Sequence, residues 1–368
     1  MKRIALIGLM LISLSATTQA RKAKNPVHTP ASDSRIEYTG RTVVNGEDVS
    51  YDWSGVYCRI RFNGPSLAVR CSDSGNSWFN VWVDKEMEPK EDSRFLINRK
   101  DTVIVLAEGL GKGEHEVIIQ KRTEGEQGRV TLHSFITEGE LLQANARRER
   151  HIEFIGDSYT CGYGTESNDR NDPFKAETEN CNLTYAAIVS RYFNADYTLV
   201  SHSGQGIARN YDDYRRGYNM PDRYSHAYDE DENIEWTPEM VSYRPDVVVI
   251  YLMTNDFSCS RQPSIGEFTS RYHELLNKVK KNYGEDIPIL CIASAADQMC
   301  YDYLRTVCTT CGLKNIRYIG FTEGLYSYDN DLGASWHPNY KGQKKWASCL
   351  IPYISTATGW EMEEKPIR

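Results

Sequence analysis

The stretch EFIGDSYTCGYG, residues 153–164, decides how the second half of this 368-residue chain is read. An apolar, strand-like run ends directly on Gly156-Asp157-Ser158, and two more glycines, Gly162 and Gly164, follow closely. Asp, Ser and Gly make turns in most proteins, so the tripeptide alone carries two readings. In one it is only a turn. In the other Ser158 is a nucleophile presented at the end of a buried strand.

The surrounding pattern favours the second reading. Beyond NARRER (145–150), near-continuous apolar runs occur at HIEFIG (151–156), YTLVS (197–201), DVVVIYLM (246–253) and IPILCIA (287–293), with a shorter one at IRYIG (316–320). Helical patterns separate them at 183–193, 264–284 and 301–312, and a last one at 338–355 closes the domain. Strands buried on both faces and alternating with helices imply a parallel sheet in an α/β/α sandwich. Such sheets bind ligands at the carboxyl ends of their strands.

Four of those ends carry polar residues suited to acyl transfer. They are Gly156-Asp157-Ser158, Ser203-Gly204-Gln205-Gly206, Thr254-Asn255-Asp256 and, before the final helix, Trp336-His337-Pro338-Asn339. A serine hydroxyl needs a base to take its proton, and His337 suits that role. The tetrahedral oxyanion then needs pre-aimed donors, here the amide of Ser158, a glycine amide and the side-chain amide of Asn255. Each block is weak alone; four in order on one sheet are strong.

The first half follows another rhythm. From about Arg35 to Glu138, runs such as VYCRIRFNG, SLAVRCSD, SWFNVWVD, DTVIVLAEG, HEVIIQKRTEG and RVTLHSFITEG alternate with a period of two, divided by glycine-containing turns. That spacing indicates an antiparallel β sandwich over residues 35–145. The catalytic unit is then expected over 150–355 and a tail over 356–368. Residues 21–34, poor in apolar side chains, read as a linker or mobile terminus.

Residues 1–20 form a separate unit. Lys2 and Arg3 precede an uncharged apolar run from Ile4 to Leu14, and small and polar residues follow as far as Ala20. This is the pattern of a signal peptide, too short to span a bilayer, and it directs the chain to a secreted or periplasmic location. Without Lys2 and Arg3 the balance is 41 basic to 51 acidic side chains, a net charge of −10. With no basic patch, nucleic acid is excluded as a partner. Ten cysteines in an exported chain permit disulfides, whose pairing sequence does not reveal. Cys308-Thr-Thr-Cys311 lacks the second pair a zinc site needs, so neither metal nor cofactor is expected.

These blocks resemble the SGNH (GDSL-type) hydrolases, named for the Ser, Gly, Asn and His that occur here in that order. GDSYT is similar to the nucleophile block, SHSGQG to the glycine block, MTND to the Gly-x-Asn-Asp block and WHPN to the histidine block. The resemblance implies Ser158 as nucleophile, His337 as base, and an oxyanion hole from Ser158, Gly204 and Asn255, with Gly206 the second choice for the glycine. The serine does not lie in the Gly-x-Ser-x-Gly elbow of α/β hydrolases. A jelly-roll-like domain ahead of the SGNH unit, with a segment such as GEHEVIIQKRTEG, further resembles carbohydrate esterase family two. That implies a cofactor-free serine esterase removing acetyl groups from plant-type polysaccharides such as xylan and glucomannan.

The chain departs from the superfamily pattern twice. Met253 stands where the third block usually begins with glycine, and Ala334 and Ser335 stand where an aspartate usually precedes the histidine. Asp331 or Asp329 is a substitute acid; a backbone carbonyl holding the imidazole N–H, as the family-two resemblance implies, is the simpler solution. His202 is a rival base, Asn255 in its plainer role caps a helix, and Trp336, Tyr159 and Tyr163 are either packing residues or walls for a sugar ring. The polar run 211–236 reads as a solvated loop or one rim of the cleft. A lipase or thioesterase of the same superfamily and an inactive carbohydrate-binding protein remain as alternatives, and the oligomeric state is not legible.

Overall fold

The computed structural model describes residues 25–212, 218–258, 260–293, 298–320 and 324–368. The signal peptide read at 1–20 lies outside these residues. Two six-stranded antiparallel sheets face each other in the first half. One contains the strands Asp48–Tyr51, Leu67–Asp73, Thr102–Ala107 and Val130–Thr137, the other Tyr57–Asn63, Ser77–Val83, Ser93–Ile97 and Glu114–Lys121. Short strands complete both, among them Val27–Pro30, which pairs with Ser134–Thr137. The segment expected as linker or mobile terminus therefore includes a paired strand. Its few apolar side chains hid it, because an edge strand is held largely by backbone hydrogen bonds.

The two sheets differ in burial for a physical reason. Leu67–Asp73 alternates between buried and more exposed positions, with one face toward the core and one toward water. Tyr57-Cys58-Arg59-Ile60 is buried at every position, because the second domain covers the outer face of that sheet. Tyr57 donates its hydroxyl to Asp196 Oδ1 (2.7 Å), and Gln120 Nε2 donates to the Tyr197 hydroxyl (2.7 Å).

The second domain is a five-stranded parallel sheet in the spatial order Ala195–Ser201, Arg150–Gly156, Val247–Tyr251, Ile289–Ile292, Ile316–Ile319. Counted along the chain this is 2-1-3-4-5, so the connections reverse direction between the first and third strands. Ser158 follows the first strand and Asn255 the third, which places the candidate site at that switch point. The helices Tyr185–Tyr192, Ile265–Tyr283, Gln298–Thr310 and Tyr340–Thr358 follow the sequence pattern closely. The last runs three residues past 355, and the tail beyond it packs: Trp360 lies 5.5 Å from Phe193, and Tyr192 donates to Glu363 O (2.6 Å). The insertion at 211–236 holds a short helix, Met220–Arg223, and a hairpin of His226–Tyr228 with Asp231–Glu235.

Arg122 ties the domains together. Fully buried, it donates to Glu179 O (2.8 Å), Glu177 O (3.1 Å) and Asn80 Oδ1 (3.1 Å) and pairs with Glu166 at 2.6 Å. Replacing it leaves buried acceptors without donors. Arg122→Met is therefore expected to cost about 3 kcal/mol in denaturant unfolding; a loss below about 1 kcal/mol contradicts this reading.

Candidate active site

Each glycine of the opening stretch has a steric task. A Cβ on Gly156 would collide with the Thr160 hydroxyl, so only glycine allows the sharp turn from strand into the helical turn Ser158–Cys161. Asp157 caps that turn, its carboxylate accepting from Tyr159 N (3.1 Å). Burial pushes its carboxyl up to about 7. Gly162 ends the turn in the left-handed region (φ 91°). Gly164, also left-handed, lets the histidine loop approach, since a Cβ there would lie 2.7 Å from Ala334 Cβ.

That approach brings residues 158 and 337 together. Ser158 Oγ lies 2.8 Å from His337 Nε2, and His337 Nδ1 lies 3.0 Å from Ser335 O. The carbonyl is aimed by two consecutive left-handed residues, Ser335 (φ 51°) and Trp336 (φ 64°). Neither is glycine, so the turn stores strain that its neighbours must hold. Ser335 N donates to Asp172 O (2.9 Å), Trp336 N to Arg170 O (3.1 Å) and Gly333 N to His337 O (2.7 Å). Burial drives the imidazole down to about 4, against the carbonyl contacts that raise it, so the ring is neutral at pH 7.

Both candidate acids are committed elsewhere. Asp331 Oδ2 accepts from Ser327 N (2.6 Å) and pairs with Lys345 Nζ (2.5 Å). Asp329 is exposed and pairs with Arg170 at 3.3 Å. The acceptor facing Nδ1 is the Ser335 carbonyl, and Asp331, the possible acid, lies on other partners. His202 is committed as well. Burial opposes its charge, but the Asp229 carboxylate 2.8 Å from Nδ1 outweighs burial and lifts it to about 9. A protonated imidazole cannot accept a proton.

Asn255 Nδ2 donates to Gln205 O at 2.8 Å and lies 3.4 Å from Asp157 Oδ2. Asp256 accepts from the amides of Ile207, Ala208 and Arg209 at 2.7–2.8 Å, holding the far side of the glycine loop. Gly206 N donates to Asn210 Oδ1 (3.3 Å), whereas Gly204 (φ 76°) has no such bond from its amide among the described residues. Met253 takes φ 105°, so the chain keeps a glycine-like backbone there while burying a methionine.

The aromatic residues divide by exposure. Tyr163 stacks on His337 (4.1 Å, 26°) with Phe174 on its other side, and Tyr159 meets His337 edge-on at 5.4 Å and packs against Tyr251. Trp336 is 53 % exposed, with Tyr328 6.3 Å away and the Arg170 guanidinium 4.6 Å from its ring centre. Sequence reading expected a backbone carbonyl at the imidazole N–H but did not assign it to Ser335, because no side chain signals it, and it did not reach the Arg170 contact.

Two groups among the described residues have metal-ligand spacing: Glu124, Cys161 and Glu179, and His202, Asp229 and Glu230. In the second, Arg223 Nη1 already lies 2.8 Å from Asp229 and 3.0 Å from Glu230. Cys58 and Cys71, on strands of opposite sheets, are free thiols. No described helix is long and apolar enough to cross a membrane.

Comparison with known proteins agrees with this geometry. Residues 38–144 match the family model "Carbohydrate esterase 2 N-terminal" and residues 152–350 match "GDSL-like Lipase/Acylhydrolase". The chain is 32 % identical over 314 residues to the cellulase/esterase CelE of Acetivibrio thermocellus, covering 84 % of this chain but only 38 % of that protein's length. It is 27 % identical, over 98 % of this chain and 99 % of the other, to an acetylxylan esterase / glucomannan deacetylase of Cellvibrio japonicus. A family two carbohydrate esterase from Clostridium thermocellum, solved in complex with cellohexaose, superposes with a TM-score of 0.81 at 31 % identity, covering 89 % of this chain and all of the other. With both domains matched, in the same order and over nearly their whole length, this chain belongs to carbohydrate esterase family two.

Proposed function

We propose that the chain is a serine esterase that removes O-acetyl groups from plant-type polysaccharides or oligosaccharides, and that it works outside the cytoplasm. The observation that carries the chemistry is the 2.8 Å contact between Ser158 Oγ and His337 Nε2. The leader pattern at 1–20 supports the location, and the names of the relatives support the substrate class.

The geometry suits a dyad mechanism. With Nδ1–H donating to Ser335 O, Nε2 carries the lone pair and accepts the Ser158 hydroxyl proton. Ser158 Oγ attacks the acetyl carbonyl, and the oxyanion lies against the amides of Ser158 and Gly204 and the side-chain amide of Asn255, which exchanges its long 3.4 Å bond to Asp157 for the oxyanion. As the tetrahedral intermediate collapses and its bond to the sugar oxygen breaks, the imidazolium gives its proton to that oxygen, which leaves as a hydroxyl, and an acetyl-enzyme remains. Water, deprotonated by the same histidine, then releases acetate. Exposed Trp336 offers an aromatic face to a pyranose ring beside the base. A binding-only role would leave the serine–histidine contact without a purpose.

Assays with 4-nitrophenyl acetate test these roles. Ser158→Ala and His337→Ala are expected to fold and to lose nearly all turnover. Retention of more than a few per cent by Ser158→Ala would remove it as nucleophile. Asp329→Ala and Asp331→Ala are expected to lose less than about tenfold each, whereas loss of a true triad acid costs ~10⁴; a deep loss at either, in folded protein, restores a triad.

Asn255→Ala is expected to lower kcat by ~10²–10³ with a smaller change in KM. An unchanged kcat returns Asn255 to the role of a cap.

The buried base also sets the acid limb of the pH profile. His337 must be neutral to act, so activity is full above its value and is lost as pH falls through it. The half-point of kcat/KM is expected near about 4, rather than the ~6.5 of an ordinary histidine. A half-point near 6.5 contradicts the desolvated base.

A further inference from the structure

The segment Lys121-Arg122-Thr123-Glu124-Gly125 ends a strand of the β sandwich, yet it reaches into the second domain directly behind the glycine loop. Glu124 is 1 % exposed and its Oε2 accepts the backbone N–H of Ser203 at 2.6 Å, one residue before Gly204. The carboxylate is itself held. Cys161 Sγ, in the turn that carries Ser158, lies 3.6 Å from Oε2, and Glu124 N donates to Glu179 Oε2 at 3.3 Å. The buried Lys121 ammonium donates to Thr123 O (2.7 Å) and Glu124 O (2.8 Å), fixing the backbone from which the carboxylate projects. A Cβ on Gly125 would collide with Asp229, the partner of His202, so the segment sits as close to the loop as a backbone allows.

The remaining holds on this loop come from the second domain itself. His202 N donates to Gly156 O (3.3 Å), Asn255 donates to Gln205 O, and Asp256 takes the amides of residues 207–209. The peptide plane between His202 and Ser203, which precedes the proposed oxyanion amide of Gly204, is held from its carbonyl side by Gln205 N, which donates to His202 O (3.3 Å). Gly204 itself accepts at its carbonyl from Tyr211 N (2.8 Å), and a Cβ there would meet only Tyr211 within 4 Å. Glu124 holds the N–H side of the His202–Ser203 peptide, by the shorter bond.

We infer that Glu124, a side chain of the β sandwich, is a positioning residue that sets the aim of the Gly204 amide through its hydrogen bond from Ser203 N–H. The inference rests on the serine-esterase reading, with Gly204 as an oxyanion donor. It gives the first domain a part in the chemistry, independent of any sugar binding. A displacement of about 1 Å in such a donor is enough to cost ~10²-fold in rate.

The test compares kcat, KM and thermal midpoint for three variants on 4-nitrophenyl acetate, with Ser158→Ala in parallel. Glu124→Gln keeps the reach and an acceptor oxygen, Glu124→Asp keeps the charge but falls one methylene short, and Glu124→Ala removes both. Glu124→Asp and Glu124→Ala are expected to lower kcat by about 10- to 100-fold with KM within about threefold, while Glu124→Gln stays within about fivefold of the parent. The Asp and Gln variants decide the matter if the Ala variant does not fold. Full kcat in Glu124→Asp overturns the inference, as does equal loss in the Asp and Gln variants tracking their thermal midpoints. Because Ser158→Ala reads the nucleophile separately, an inactive Ser158→Ala beside unaffected Glu124 variants sinks this inference and leaves the esterase reading standing.

Discussion

One backbone carbonyl, that of Ser335, determines how the candidate site is built. A histidine serving a serine must have its Nδ1 proton pinned, or the ring turns and the wrong nitrogen faces the nucleophile. Here the pin is a peptide oxygen 3.0 Å away rather than a carboxylate. Aiming that oxygen takes two left-handed residues in succession, which neither serine nor tryptophan adopts cheaply. The surroundings therefore over-determine the turn. Asp172 and Arg170 hold its amides, Gly164 gives it room, and Asn339 caps the following helix through Lys341 N (2.9 Å) and Gly342 N (3.2 Å). The same turn leaves Trp336 pointing into solvent beside the base. A neutral anchor has an electrostatic consequence too: the carbonyl contacts and the Glu124 charge raise the imidazole less than burial lowers it.

The β sandwich is joined to this arrangement more tightly than a separate module would be. The second domain covers the outer face of one of its sheets along Tyr57–Ile60, and directed polar contacts cross the interface: Tyr57 with Asp196, Gln120 with Tyr197, Arg122 with the carbonyls at 177 and 179. Asp52 accepts from Asp229 N (2.6 Å) and Glu230 N (3.2 Å), fixing the strand end that carries the partner of His202. Directional bonds of this kind set an orientation that apolar burial alone does not.

Much of this was legible in the sequence because it is written in periods and in side chains. The apolar runs change from alternating to continuous near residue 150, and Ser158, Gly204 and Asn255 fall just past the ends of three parallel strands. Gly206 is needed for space, since its Cβ would strike Arg209 O and Asp256, and its amide is engaged by Asn210. What escaped lies in the backbone. No residue type announces that Ser335 will turn its carbonyl inward, so Asp331 stood as a candidate until its carboxylate was found on Ser327 N and Lys345. The strand Val27–Pro30 escaped because its partner, not its own side chains, makes it a strand. Glu124 escaped because its target is a peptide N–H some eighty residues away in sequence.

The most direct measurement is a crystal structure of the enzyme after reaction with an alkyl fluorophosphonate, which mimics the tetrahedral intermediate on the nucleophile. The phosphorus is expected on Ser158 Oγ, with His337 Nδ1 within about 3 Å of Ser335 O and no carboxylate oxygen within hydrogen-bond reach of Nδ1. Phosphorus on another residue, or an aspartate swung onto Nδ1 in place of the carbonyl, would contradict the carbonyl-held dyad.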